Sequence, residues 1–361
     1  MPTITLDLRK TKPNPRGAGI NPDSRFHSQT TADFHDGWDR DDETPPQRTH
    51  VTTETARKII TRNASPDIGF DRSINTYRGC EHGCVYCFAR PTHAYLGHSP
   101  GVDFETQLYV KPNAAELLRK ELAAPGYQCR SMALGTNTDP YQPIEREHRI
   151  TRQMLEVLRD HNHPVGIVTK SDLVLRDLDI LAPMAAQNLA KVGLSVTTLD
   201  PKLARLMEPR APTPNKRLAA IEMLAEAGVP VTALMGPVVP ALNDQEIEAM
   251  VSACADAGAT HVNFVVLRLP HEVKDIVRDW LAEHFPDRAK RVMAMMQSMR
   301  GGKDYDATWG LRQRGEGPYA AAIAARFALA TKRAGLTIGT VKLRTDLFDP
   351  PRAQMPQLEL F

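Results

Sequence analysis

The sequence predicts an α/β protein, a partial (βα)6 TIM-type barrel with an N-terminal extension and a helical C-terminal extension. Two observations carry this. From about residue 65 to 270, short apolar, β-branched runs alternate with stretches of helical periodicity, and alternation on that scale gives parallel strands joined by right-handed crossovers. Gly228 and Gly258 directly follow two of the helical stretches, where a left-handed C-terminal cap belongs.

Strands are expected at Ser73–Tyr77, Ser131–Leu134, Val165–Thr169, Val192–Val196, Val231–Leu234 and His261–Leu267. Helices are expected between them at Ala114–Leu122, Thr151–Arg159, Leu173–Met184, Lys216–Ala227 and Asp244–Ala257. Residues 1–64 read as a largely irregular extension rich in Pro, Asp, Thr and Arg. One short helix is expected there, around Thr52–Thr61, with Thr52, Thr53 or Glu54 as its cap. Residues 271–346 read as helical, at Glu272–His284, Arg288–Arg300 and Pro318–Ala334, with a basic, Gly-containing loop from Met299 to Gly315. Residues 347–361 form a polar tail. In barrels of this kind the chemistry sits at the C-terminal strand ends, and that rule ranks the candidate residues.

Composition narrows the class. No run of about 18 apolar residues exists in the chain, which argues against a membrane helix. The first ten residues lack the apolar stretch of a signal peptide, so a cytoplasmic location is expected. A net charge of +2 neither demands nor excludes nucleic acid. Of five cysteines, three fall at Cys80, Cys84 and Cys87, and Cys129 and Cys254 stand alone. Clustered thiols in a cytosolic chain point to a metal centre and not to a disulfide framework. The isolated pair read as small buried hydrophobes.

Arg78-Gly-Cys80-Glu-His-Gly-Cys84-Val-Tyr-Cys87 is a C-x3-C-x2-C loop placed directly after a strand. Three thiolates on such a loop can each take one iron of a cubane cluster, and the fourth iron is left open. The competing reading is zinc, with His82 or His93 as a fourth ligand. Zinc motifs usually come as separated C-x2-C pairs, which this is not.

With Tyr86 before the last Cys, this loop resembles the radical S-adenosylmethionine (SAM) superfamily. The stretch from Asn75 to Gly97 resembles, more closely, a bacterial subgroup of the spore photoproduct lyase-like ("DNA repair photolyase") branch, and the similarity runs from about Ala56 to Leu336. The resemblance implies a [4Fe-4S] cluster on Cys80, Cys84 and Cys87 with SAM as its partner. It implies reductive cleavage of SAM to a 5′-deoxyadenosyl radical, and an electron donor such as flavodoxin or ferredoxin.

SAM needs partners for a carboxylate, an ammonium and a ribose. Leu134 to Glu145 follows the second strand and offers Thr136, Asn137 and Asp139; Lys170 ends the third strand and Ser195 the fourth. The resemblance assigns Thr136, Lys170 and Ser195 to SAM, with Asn137 and Asp139 beside them. Turn chemistry is the plainer reading of the Asn, Asp and Thr residues. In Met207 to Arg217, Glu208, Arg210 and Arg217 can face the mouth, where an Arg fork suits a carboxylate or phosphate. Alternatively, Asn215 caps the next helix and Arg217 is solvated.

Photoproduct lyases return a hydrogen atom from a Cys near the end of the second strand. Here Ala133 to Asp139 contains none, and Cys129 lies at the wrong end. Tyr86 and Tyr141 are the candidates for a hydrogen-atom relay, with Tyr95 as a further one.

Two features speak to nucleic acid. Arg300, Lys303, Arg312 and Arg314, with Tyr305 and Trp309 among them, offer phosphate contacts and a stacking surface; a solvated charged loop is the plainer reading. Gln357-Leu-Glu-Leu-Phe361 resembles the peptide that docks on the bacterial DNA sliding clamp. The leading expectation is therefore repair or modification of a nucleobase in DNA. The alternatives are a peptide or small metabolite as substrate, or a non-catalytic metal-cluster adaptor.

Overall fold

A computed structural model describes residues 16–26 and 48–351. The tail peptide Gln357–Phe361 lies outside the described residues. Eleven strands are described: β1 (His50–Thr53), β2 (Ile60–Arg62), β3 (Arg72–Ile74), β4 (Tyr77–Arg78), β5 (Gln107–Val110), β6 (Met132–Leu134), β7 (Val165–Thr169), β8 (Ala190–Ser195), β9 (Val231–Val238), β10 (His261–Val266) and β11 (Thr337–Ile338).

The main sheet runs β11-β10-β9-β8-β7-β6-β3-β2. From β3 through β6 to β10 each strand pairs in parallel with the next in the chain, which makes the six-stranded partial barrel. β2 adds antiparallel to β3 and β11 parallel to β10, and these ends do not pair with each other. Helices Ala114–Leu122, Ile150–Asp160, Leu178–Ala186, Pro214–Glu226 and Ile247–Asp256 form the crossovers. Helix Gly317–Arg333 covers β10, where Phe327 meets Phe264 at 4.5 Å between ring centroids. The strands are rich in Val, Ile and Leu because both faces are covered: Ile167, Val192, Leu194 and Ala233 are all buried.

Two local expectations change. The short helix expected around Thr52–Thr61 is absent, and β1 and β2 stand there instead. Val51, Thr52 and Thr53 are β-branched and suit an extended backbone, and β1 finds a parallel partner in β5. The strand expected at Ser73–Tyr77 is broken at Asn75 and Thr76. β3 stays in the barrel, and β4 joins β1 and β5 in a separate sheet.

The open side of the barrel is bridged. The loop after helix Pro286–Ser298 reaches the segment between β2 and β3: Gly310 N donates to Asp67 Oδ1 (2.6 Å), and Arg312 bonds Asp67 Oδ2 and Ser65 Oγ (both 2.5 Å). Among the described residues, no helix is long and apolar enough to cross a membrane.

Candidate cluster and cofactor site

The cysteine loop begins where β4 ends, at the C-terminal side of β3. Gly79 and Gly83 have φ of +74° and +69°, which only glycine adopts freely. The loop's backbone is held from several directions. Thr138 Oγ1 and Gln142 Nε2 donate to Gly79 O (2.6 and 3.1 Å), and Glu81 N donates to Gln142 Oε1 (2.9 Å). Cys80 N donates to Phe104 O (2.9 Å) and Val85 N to Met207 O (3.1 Å). Arg90, fully buried, donates from Nε to Cys84 O (2.9 Å), caps Pro100 O and Gly101 O, and pairs with Glu105.

Cys80 and Cys84 are buried and Cys87 is partly exposed, with no disulfide among them. Burial pushes the Cys84 thiol up to about 12 and raises Cys80 as well. Thiols in such surroundings keep their protons until a metal takes the proton's place. Among the described residues, no three His, Cys, Asp or Glu side chains gather round a single ion, and His82 is engaged with Asp139. A cubane presents its irons at separate corners, so its thiolates need not converge on one point. Three thiols on one tightly held loop fit that group.

Beneath the loop, Glu208 is the hub of a buried network. Tyr86 and Arg217 both donate to it at very short range, and Thr197 Oγ1 donates to Oε1 (2.6 Å). Arg217 also donates to Ser195 O (3.2 Å) and Pro212 O (2.9 Å). Burial opposes the Glu208 charge, but Arg217, Lys170 and the hydroxyl donors hold the carboxyl at about 2. Arg217, read as a ligand for carboxylate or phosphate or as a solvated residue, is 1% exposed and holds Glu208. Tyr86 has its hydroxyl in the same network.

Asp139 is a second hub. Its carboxylate accepts from Lys170 N (2.8 Å), Thr169 Oγ1 (2.7 Å) and Tyr141 N (2.9 Å), and His82 Nδ1 lies 3.2 Å away. Burial works against the charge, but His82 and these donors hold it at about 2. Asp139 thus ties the cysteine loop to the end of β7 and presents Lys170. The Lys170 ammonium lies 5.8 Å from the Tyr86 ring centroid and makes no hydrogen bond among the described residues. Burial lowers its pKa, but Cys84, Glu208 and Asp139 outweigh this and raise it to about 12. Thr136 and Asn137 are both held by Asn75: Asn75 Nδ2 donates to Thr136 Oγ1 (3.1 Å) and Asn137 N to Asn75 Oδ1 (2.8 Å). Ser195 is buried at the end of β8. Tyr141 is buried with its hydroxyl on Asp177 Oδ2 (3.0 Å).

The sequence reading did not single out Asn75, Arg90, Glu105 or Gln142 as supports. Arg90 lies three residues past Cys87, and that proximity is the one signal in the sequence. In the basic loop, Arg300 is buried against Leu267 O, Arg312 is paired with Asp67, and Arg314 bonds Asn263 and lies over Phe264. Lys303 and Trp309 remain open to solvent.

The N-terminal segment closes over the cysteine loop. Gly17 N and Ala18 N donate to the Glu105 carboxylate (2.8 and 2.9 Å), and Ala18 packs with Val102 and Ile276. A Cβ on Gly17 would lie 1.6 Å from Gly83 O. Gly17→Ala is therefore expected to lift the segment off, bringing its local opening free energy close to zero. Limited proteolysis within residues 16–26 should become much faster, and an unchanged cleavage rate would refute this.

An open parallel barrel with three thiols on one loop at its mouth, two of them buried, and a lysine at the next strand end but one, suits an iron–sulfur cluster and a polar cofactor. The family model described as the radical SAM superfamily matches residues 74–254. The chain belongs to that superfamily, whose enzymes use a [4Fe-4S] cluster and SAM. An uncharacterized protein of Mycobacterium tuberculosis is 40% identical over 224 residues, and the match spans 62% of this chain and 66% of that protein. One of Methanocaldococcus jannaschii is 32% identical over 192 residues, spanning 53% of this chain and 68% of that protein. Among solved structures, spore photoproduct lyase complexed with dinucleoside spore photoproduct is similar at a TM-score of 0.57 and 14% identity, over 80% of this chain and 81% of that one. That likeness is one of fold.

Proposed function

We propose that this protein is a cytoplasmic radical SAM enzyme that repairs or modifies a nucleobase in DNA, with flavodoxin or ferredoxin as its electron donor. The observation that carries the reading is the cysteine loop, with three thiols on one rigid turn beside the Lys170 ammonium, which makes no hydrogen bond or ion pair among the described residues. When bound, the cluster and SAM supply a 5′-deoxyadenosyl radical that abstracts a hydrogen atom.

The chain's residues bind, orient and exclude water. Cys80, Cys84 and Cys87 hold the cluster. Lys170 faces the SAM carboxylate, and Thr136, Asn137 and Ser195 face its ammonium and ribose. Asp139 and Arg217 act as positioning residues, the first for Lys170 and the second for Glu208. We favour Tyr86 over Tyr141 as a hydrogen-atom relay, since it neighbours Cys87. The fold shared with a lyase complexed with a dinucleoside photoproduct supports a nucleobase as substrate, and the tail Gln357–Phe361 is kept as a clamp-docking peptide.

The test is anaerobic incubation of the reconstituted protein with SAM, dithionite and either intact or ultraviolet-irradiated DNA. DNA-stimulated release of 5′-deoxyadenosine, with a mass change in a base, is expected. SAM cleavage that ignores DNA and leaves every base unaltered would remove the nucleobase from the proposal.

A further inference from the structure

We infer that Phe88 and Arg268 form a subsite for one unpaired nucleotide of a nucleic-acid strand, the ring stacking on the base and the guanidinium taking the phosphate. The inference rests on the nucleobase reading above and deepens it.

Position comes first. Phe88 directly follows Cys87, the most open of the three cysteines, and is itself 47% exposed. Arg268 follows Leu267, whose N–H donates to Val238 O (3.0 Å) at the end of β9. Arg268 therefore stands at the C-terminal ends of β9 and β10, the end of the barrel that carries the cysteine loop. The two side chains meet there, with the guanidinium carbon 4.9 Å from the ring centroid. One face of the ring carries the cation, and the exposed remainder is available to a flat partner.

The second observation concerns what these cations lack. Two fully buried arginines elsewhere are matched: Arg90 has Glu105 and three carbonyls, and Arg217 has Glu208 and two. Arg268 has a single long bond to the Tyr305 hydroxyl (3.4 Å), and its Nε is buried without a partner. Arg300, 2% exposed, bonds Leu267 O and Met296 Sδ, and its Nε is also buried without a partner. Neither forms an ion pair among the described residues. Burial lowers the Arg300 pKa to about 10, with Arg268 adding to it and Tyr305 and Asp306 opposing it. Buried donors without partners are rare in a finished fold, and an anion seated on the Arg268 guanidinium would give it the counter-charge it lacks.

An aromatic face beside an arginine is the pairing by which proteins hold single-stranded nucleic acid: stacking accepts any base and the cation tracks the backbone. A nucleotide so held would sit beside the cysteine loop at the barrel mouth, where an extruded base would have to arrive.

The test is binding of a short fluorescein-labelled DNA single strand to the reconstituted protein, followed by anisotropy at several salt concentrations. Phe88→Ala is expected to weaken binding about tenfold, and Phe88→Trp to restore it. With an abasic strand, wild type and Phe88→Ala should bind alike, which a merely structural role for Phe88 would not produce. Arg268→Ala should weaken binding similarly and reduce the salt slope by about 1, with Arg268→Lys in between. Equal binding of the strand by wild type, Phe88→Ala and Arg268→Ala would overturn the subsite and leave the nucleobase reading standing. Failure of the wild type to bind any DNA, single-stranded or duplex, would overturn both.

Discussion

Cys84→Ala is expected to leave the fold intact and abolish the cluster, with iron falling from roughly four per chain to background and no 5′-deoxyadenosine formed from SAM. The reasons lie in how the loop is held. Its fixed points around Cys84 are backbone atoms: Arg90 donates to the Cys84 carbonyl, Val85 N to Met207 O and Cys87 N to Cys84 O. Alanine keeps all three, so the turn should survive in circular dichroism and thermal unfolding. What it loses is a sulfur in the most heavily screened position. Burial pushes that thiol up to about 12, while Lys170 and Arg217 nearby favour the charged form. Two remaining thiols would not hold a cubane against exchange, because one iron would be left without its thiolate. Full iron loading and SAM cleavage in Cys84→Ala would refute the assignment. One zinc per chain in the wild type would replace it with a metal-stabilised binding protein.

Much of the fold was legible because its signals are periodic and local. Parallel strands buried on both faces read as unbroken apolar runs, and β6 to β10 lie where Ser131–Leu134 to His261–Leu267 predicted them. The failures came where a distant partner decides the local structure. Thr52 to Thr61 carries helix-cap residues, but β1 is set by its register against β5, some 57 residues downstream (His50 against Gln107). The break at Asn75 likewise depends on Thr136, Asn137 and Lys111, which take that residue's side chain and carbonyl. Residues 1–64 look irregular by composition, yet Gly17 and Ala18 dock on a carboxylate, Glu105, that composition cannot point to.

The site divides in the same way. The three cysteines are legible because spacing alone encodes a tight loop with three donors. Lys170 is legible because it directly follows a strand, at the end of the barrel where chemistry sits. Asp139 and Arg217 were singled out as cofactor ligands at the strand ends, but single-residue chemistry does not reveal which way a side chain turns. Asp139 turns to the backbone of Lys170 and to His82, and Arg217 turns to Glu208. The basic loop shows the limit most clearly. Four cations in a row read as a phosphate surface, but three of them are taken up by Leu267 O, Asp67 and Asn263. Arg268, outside that loop, keeps a buried donor unmet, as Arg300 does.

Glu208→Gln is expected to destabilise the protein by about 3–5 kcal/mol, the usual cost of leaving one member of a buried ion pair uncompensated. Glu208 and Arg217 are each 1% exposed, so water cannot reach in to solvate the orphaned guanidinium. The substitution preserves shape and leaves one oxygen to accept from Thr197, which isolates the charge. Four groups from three elements face this carboxyl: Arg217 on helix Pro214–Glu226, Lys170 after β7, and Tyr86 and Cys84 on the cysteine loop. The two cations dominate and depress its folded pKa from 4.5 to about 2. A depressed carboxyl stabilises the fold above its unfolded value and loses that contribution as pH falls through its folded value. The gap between wild type and Glu208→Gln in urea unfolding should therefore be full at pH 7 and begin to narrow near 4.5, closing toward about 2. Iron loading at pH 7 should fall with stability, because Tyr86 and the Met207 carbonyl that hold the cysteine loop both belong to this network. A gap that stays constant across the acid range would mean that Glu208 acts through packing and not through its charge.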